Sequence, residues 1–143
     1  MAVNQMGIRQ NYLAIFAAAI ACFLMEVLWY GYFMRPWLDG LGGCSGWFSP
    51  NPHIHPVVQF SIAFVSELFI AAAISCVTQL SGPQTILRGM RAGALLWLGF
   101  VVTTWATQYA FELRPWSQLA INCGFWLLGM VVVGAIVGGW KKE

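Results

Sequence analysis

Four long runs of apolar residues dominate the sequence and limit what it can fold into. They cover about residues 12–33, 57–79, 92–111 and 118–140. A helix that crosses a bilayer needs about 20 predominantly apolar residues, and each run is of that length. Because the runs are continuously apolar, they predict helices and exclude a membrane β-barrel. We therefore predict an all-α membrane protein with one four-helix domain over residues 1–143.

The composition agrees with this class. Hydrophobic residues make up 59% of the chain and charged residues 8%, against about 25% charged residues in soluble domains. Seven basic and five acidic side chains are too few to cover a soluble domain of this size. The net charge of +2 is too small for a surface that follows nucleic-acid phosphates, so we expect no nucleic-acid partner.

The basic residues predict the orientation of the helices. Five of them fall in the N-terminal tail, the second loop and the C-terminal tail, on one side of the membrane: Arg9, Arg88, Arg91, Lys141 and Lys142. Only Arg35 and Arg114 fall in the loops on the other side. Because Lys and Arg concentrate in cytoplasmic loops, we expect two helical hairpins with both termini in the cytoplasm.

Two glycine pairs predict where helices approach each other. Both have G-x-x-x-G spacing: Gly89 and Gly93 at the start of the third helix, Gly134 and Gly138 at the end of the fourth. This spacing lets two membrane helices pack backbone against backbone, so we expect close contact at the cytoplasmic end. Large aromatic residues concentrate in the opposite half of the helices. They either splay the helices apart there or form a belt at the membrane interface.

Two carboxyl groups, those of Glu26 and Glu67, lie inside apolar runs and are the first candidates for a functional site. At a rise of about 1.5 Å per residue, Glu26 lies about 12 Å and Glu67 about 15 Å from the outer ends of their helices. An ionised side chain near mid-membrane costs at least about 2.5–3.5 kcal/mol, and no Lys or Arg lies at that depth. We expect that one acid is protonated, that the two share a proton, or that they bind a cation.

Further polar residues lie at similar depth and predict an intramembrane polar site around the acids. Thr104, Gln108 and Glu112 are four residues apart, so they form one stripe along the third helix. Tyr30 in the first helix and Asn122 in the fourth add hydrogen-bonding groups. These residues either form a polar funnel that opens outward or make hydrogen bonds that only hold the bundle together.

The first loop contains His53 and His55, a weak candidate for a metal site. Residues two apart in an extended segment point to the same side, so the two imidazoles could bind Cu or Zn with Asp39 or Cys44. The alternative is that both rings contact water or lipid headgroups. We favour this alternative and predict no metal, no other cofactor and no catalytic residue, since the sequence contains no nucleotide-binding glycine loop or H-E-x-x-H motif.

A short repeat links the first and third helices. Arg-Pro-Trp occurs at residues 35–37 and again at 114–116, 79 positions later, and Tyr30 and Tyr109 match at the same offset. The repeat indicates either an internal duplication or convergent chemistry at the membrane interface. In the second case Pro ends the helix while Arg and Trp suit the headgroups.

Three segments resemble a known family. They are residues 11–14 (NYLA), residues 29–31 (WYG) and the long stretch 93–140. In these segments the chain is similar to the small four-helix bacterial membrane proteins grouped as domain-of-unknown-function family 1761. The resemblance implies a multi-pass protein of the bacterial cytoplasmic (inner) membrane. Because the family has no established activity, the resemblance implies no catalytic residue.

Two functions fit these observations. The first is a non-enzymatic protein that binds lipids or serves as an accessory subunit of a larger membrane complex, which the lack of a catalytic motif favours. The second is a small transporter coupled to protons or cations through Glu26 and Glu67. The expected partners are membrane lipids, further copies of the chain or other membrane-protein subunits.

Overall fold

The computed structural model describes residues 7–42 and 53–141, and the regular secondary structure in these ranges is entirely helical. The elements are α1 (Tyr12–Tyr32), α2 (Met34–Asp39), α3 (Pro56–Leu80), α4 (Ile86–Leu96), a π-helical segment (Trp97–Val102), α5 (Thr103–Glu112) and α6 (Trp116–Gly139). The π-helical segment joins α4 to α5 without a break, so that the three form one third long helix, Ile86–Glu112.

Within these described ranges, α1, α3, the third long helix and α6 are each long and apolar enough to cross a membrane. The shortest, α1, has 21 residues, which at about 1.5 Å per residue spans the hydrocarbon core of a bilayer. This confirms the predicted all-α class with four membrane-spanning helices, and the protein is a multi-pass membrane protein. The placement of both termini in the cytoplasm stays a prediction.

The third helix begins earlier than its apolar run. The run starts at about residue 92, whereas the helix starts at Ile86. The side chain of Thr85 accepts a hydrogen bond from the backbone N–H of Arg88 at 3.2 Å and so caps the helix. The first turns contain Arg88 and Arg91, so a count of apolar residues alone misses them.

The segment after α1 also differs from the predicted loop. The chain turns at Phe33 and then forms the short helix α2. Pro36 lies in its first turn, where a missing N–H breaks no helical hydrogen bond. The sequence pattern shows Pro36 as a helix end, but here it lies within a new helix.

The helices are arranged around α6. It packs against α1, α3 and α4, whereas α1 and the third long helix do not pack against each other within the described ranges. Hydrogen bonds mark the end of the bundle that carries Gly7 and Lys141, here called the terminal end. The Asn11 side chain donates to the carbonyl of Trp140 at 3.3 Å, and the backbone N–H of Arg9 donates to the Gln79 side chain at 3.0 Å.

The most extensive interface joins α4 to α6 at the terminal end. The predicted glycines form its centre: a Cβ atom at Gly89 would overlap the carbonyl group of Gly134, and one at Gly93 would overlap the carbonyl group of Met130. A Cβ at Gly138 would overlap the carbonyl group of Thr85. Only glycine permits this backbone contact, which is of the kind that small residues allow in membrane bundles.

At the opposite end, here called the distal end, the third helix moves away from its neighbours. Among the described elements, α5 packs against α6 and continues from the π-helical segment, but it contacts neither α1 nor α3. The resulting gap is lined by aromatic side chains, including Tyr30, Phe60 and Trp105. Of the two sequence interpretations, splayed helices or an aromatic belt, the geometry favours splaying.

The glycine contact gives the first testable prediction. Gly89→Ala should lower the free energy of unfolding by about 1–3 kcal/mol, because the added methyl group has no space against the backbone of α6. Gly99→Ala is the control: Gly99 lies on the same long helix and has no atom within 4 Å of the position its Cβ would take, so the change should stay below about 1 kcal/mol. Unfolding in mixed detergent micelles, followed by tryptophan fluorescence, measures both. Equal stability of the two variants would contradict the close contact.

Candidate functional site

The gap at the distal end forms a cavity of about 600 Å³. It is enclosed by α1, α3, α5 and α6, and α2 contributes Trp37 and Leu38 to its wall. Its polar and aromatic lining residues are Glu26, Tyr30, Trp37, Gln59, Phe60, Trp105, Gln108, Tyr109, Arg114, Gln118 and Asn122. The walls therefore combine apolar surface with a small number of hydrogen-bonding groups, as ligand sites usually do.

Asn122 is the centre of the hydrogen bonds around this cavity. Its Oδ1 accepts from the Tyr30 hydroxyl at 2.8 Å and from the Trp37 indole N–H at 3.2 Å. Its Nδ2 donates to the Tyr109 hydroxyl at 2.7 Å. Because an indole N–H can only donate, Trp37 fixes which end of the amide is the oxygen. One buried side chain of α6 thus connects α1, α2 and α5.

Gln118 lies one turn before Asn122 and is 1% exposed. Its Nε2 donates to the backbone carbonyl of Trp37 at 3.4 Å, which fixes the orientation of the amide because a carbonyl can only accept. Its Oε1 has no hydrogen-bond partner among the described residues. Buried polar atoms are normally paired, so this oxygen is an unsatisfied acceptor, buried within a residue of the cavity lining.

The two acids occupy different surroundings. Glu26 lines the cavity, whereas Glu67 lies outside the lining, is 1% exposed, and has no hydrogen-bond partner for either carboxyl oxygen among the described residues. The thiol of Cys22 lies next to the Glu67 carboxyl, and the two acids are near enough for their charges to repel each other. The thiol of Cys22, a weak donor, is the one group beside Glu67 that could offset the cost of burying an ionised carboxyl there, among the described residues.

The predicted stripe on the third helix is only partly directed into the cavity. Gln108 lines it, and its Nε2 donates to the Glu112 carboxylate at 2.8 Å. Glu112 forms an ion pair with Arg114, whose guanidinium lies 5.6 Å from the centre of the Tyr109 ring. Thr104 lies outside the lining. It is exposed, and its hydroxyl donates to the carbonyl of Phe100 in its own helix, as Thr often does in membrane helices.

The two histidines of the first loop are both exposed. The Nδ1 atom of His55 accepts from the backbone N–H of Val57 at 3.3 Å and so caps α3. Cys44, a further ligand considered above, lies outside the described residues, as does Lys142. Within residues 7–42 and 53–141, no group of three or more possible metal ligands occurs. Metal binding by His53 and His55 is thus not supported by a larger ligand set in this part of the chain.

Comparison with known proteins identifies the family. A model described as "Protein of unknown function (DUF1761)" matches residues 13–138, which is nearly the whole chain. The chain belongs to this family. The match confirms the resemblance seen in the sequence, and the family's function is unknown. Comparisons with curated proteins and with solved structures found no match.

The lining residues of this DUF1761 protein that are absent from the predicted site include Trp37, Tyr109 and Gln118. The short repeat contains a signal for the first two, because Trp37 is part of it and Tyr109 matches Tyr30 at the same offset. The two copies differ in the structure, since Trp37 bonds Asn122 while Trp116 is 61% exposed. The signal for Gln118 is an amide placed at the start of an otherwise apolar run.

The hydrogen bonds of Asn122 give the second prediction. Asn122→Leu keeps a similar volume but removes the partners of Tyr30, Trp37 and Tyr109, so it should lower the free energy of unfolding by about 1–3 kcal/mol. Thr104→Val is the control and should change it by less than about 0.5 kcal/mol, because Thr104 is exposed and bonds only its own helix. Unfolding in detergent measures both, and a smaller loss for Asn122→Leu than for Thr104→Val would contradict the network.

Proposed function

We propose that this protein binds an amphipathic molecule, a membrane lipid first of all, in the distal cavity. The observation that carries the proposal is the cavity itself: about 600 Å³ within a membrane-spanning bundle, with aromatic walls and buried polar groups. Ligand sites typically measure about 300–1,000 Å³. An apolar chain would lie against the aromatic walls, while a polar group would reach the side chains around Asn122.

The arrangement of the helices supports entry from the side. α3 and α5 border the cavity through Phe60 and Trp105, yet the two helices do not contact each other within the described ranges. Phe60 is itself 40% exposed. A molecule dissolved in the bilayer can therefore approach between these helices, without crossing the tight α4–α6 interface.

The lining favours binding over catalysis. The lining contains one carboxyl group, that of Glu26, but among its described residues there is no Ser, Cys, His or Lys that this group could activate as a nucleophile. Tyr30 and Tyr109 are both bonded to Asn122, which holds them in place. We therefore keep the prediction of a non-enzymatic protein. Association with further copies or with another membrane protein also stays a prediction.

Filling the cavity tests lipid binding. Ala63 lies on the cavity wall of α3, so Ala63→Phe should reduce the amount of lipid that remains bound to the purified protein severalfold. Ala73→Phe is the matched control, since Ala73 is exposed on the same helix and its substitution leaves the cavity unchanged. Native mass spectrometry after release from nanodiscs counts the bound lipids. Equal lipid retention by the two variants would argue against the cavity as the binding site.

A proton- or cation-coupled transporter is the second candidate. It is favoured by Glu26, which lines the cavity, and by Glu67 close behind it. Transport also requires a second opening. At the terminal end, the backbone contacts of Gly89 and Gly93 with α6 close the bundle, so this function requires that interface to separate during each cycle.

The transporter candidate predicts that Glu26→Gln abolishes pH-dependent uptake into proteoliposomes, because Gln keeps the shape and removes the exchangeable proton. Glu112→Gln serves as the control, since that carboxylate is bonded to Arg114 and Gln108 and lies outside the cavity lining. Uptake of a lipophilic cation at two pH values, with a proton gradient as driving force, measures the effect. Uptake that is unchanged in Glu26→Gln would exclude coupling through this acid.

A further inference from the structure

The hydrogen-bond donors and acceptors around the distal cavity differ in whether they already have partners. Most of the donors already have acceptors: Tyr30 and Trp37 donate to Asn122, Asn122 donates to Tyr109, and Gln108 donates to Glu112. The Glu26 carboxyl, in contrast, has no donor among the described residues. A ligand that completes this site must therefore bring hydrogen-bond donors.

Two residues of the cavity lining, on different helices, carry acceptors that are unpaired among the described residues. The Glu26 carboxyl forms no hydrogen bond or ion pair with any of the described residues. The Oε1 of Gln118 is buried and unpaired, although the other end of the same amide is held by the carbonyl of Trp37. Unpaired acceptors in a buried wall are costly unless a partner arrives.

The charges around the cavity point to a cation. Arg114 is the one basic residue among the described lining residues, and it is already paired with Glu112 and placed over the ring of Tyr109. Glu26 carries the one acidic group in the same lining. Glu67, close behind it, would add to the negative potential whenever its own carboxyl is ionised.

Aromatic rings complete the surroundings that a cation needs. Tyr30 and Trp37 meet edge to face, with ring centres 5.2 Å apart, and Phe60 and Trp105 line the facing walls. Ring faces attract an ammonium group when they lie within about 6 Å of it. Apolar parts of a ligand also gain from contact with these rings.

We propose that the distal cavity selects ligands carrying an ammonium group, which Glu26 binds as a salt bridge. This inference rests on the proposed binding function and adds the chemical class of the ligand. The ammonium comes either from a free lipophilic amine or from a lipid headgroup such as that of phosphatidylethanolamine.

Three probes with one carbon skeleton test the charge selection: phenylbutylamine, phenylbutanol and phenylbutyrate. The amine is protonated at neutral pH, as lysine is. Wild-type protein in a non-ionic detergent should bind the amine about tenfold more tightly than the alcohol, because only the ammonium group forms a charge-assisted hydrogen bond with the Glu26 carboxylate. The carboxylate should bind most weakly. Isothermal titration calorimetry measures all three, and this comparison requires no variant to fold.

Two variants test whether Glu26 is the residue that causes the preference for the amine. Glu26→Gln should bring the affinities for amine and alcohol to within about twofold of each other, while binding of the alcohol is retained. Asp39→Asn is the matched control: it removes one acidic charge at the same end of the bundle from an exposed residue outside the cavity lining, and it should keep the preference. A preference lost equally in both variants would overturn the role of Glu26.

A second experiment, in lipid nanodiscs, distinguishes a headgroup ammonium from that of a free amine. Nanodiscs with equal amounts of phosphatidylethanolamine and phosphatidylglycerol should leave wild-type protein, but not Glu26→Gln, enriched in the ethanolamine lipid. Enrichment supports a headgroup ligand, and amine preference without enrichment supports a free amine. The inference is wrong if the wild type prefers the ammonium compound neither in calorimetry nor in the nanodiscs. If Ala63→Phe then still excludes the alcohol or the lipids, the proposed binding function survives and only the charge selection fails.

Discussion

The backbone contact between α4 and α6 is the constraint on which the rest of the bundle depends. Gly89 and Gly134 bring the two helices closer than any other residue type allows. Two straight helices that touch at one end and carry large side chains at the other must diverge. The glycines therefore set both the tight terminal end and the open distal end.

The divergence produces a cavity because polar groups hold its edges in place. Asn122, on the central helix α6, bonds Tyr30 of α1 and Tyr109 of α5, so the two walls remain tied to the same residue while they stay apart. Trp37 adds a third connection and brings α2 against the cavity. Without such hydrogen bonds, apolar side chains would have little reason to leave a space of this size unfilled.

Much of the fold follows from patterns that sequence shows directly. Run length predicts four spans, and G-x-x-x-G spacing predicts the contact of Gly93 and Gly138 with their neighbours, because both signals depend on residue type and order alone. Orientation around a helix axis is harder to predict. The third helix turns Trp105, Gln108 and Tyr109 towards the cavity and Thr104 away.

The acids show where sequence reasoning stops. Matched depth predicts that Glu26 and Glu67 are neighbours, yet depth does not say which of them meets open space. That depends on whether α3 turns the side chain towards the gap or towards Cys22 of α1, as it does for Glu67. The polarity of a residue is visible in the sequence, whereas the free volume beside it comes from packing.

The π-helical segment (Trp97–Val102) divides the third helix into two mechanically different halves. On one side of it, α4 is fixed to α6 by the glycine contacts. On the other side, α5 packs against α6 but not against α1 or α3 within the described residues, and its Tyr109 hydroxyl is bonded to Asn122. Such wider helical turns are common places for a helix to bend. A bend there would change the width of the cavity and leave every glycine contact in place, so that under the proposed binding function α5 alone would adjust the cavity to ligands of different width.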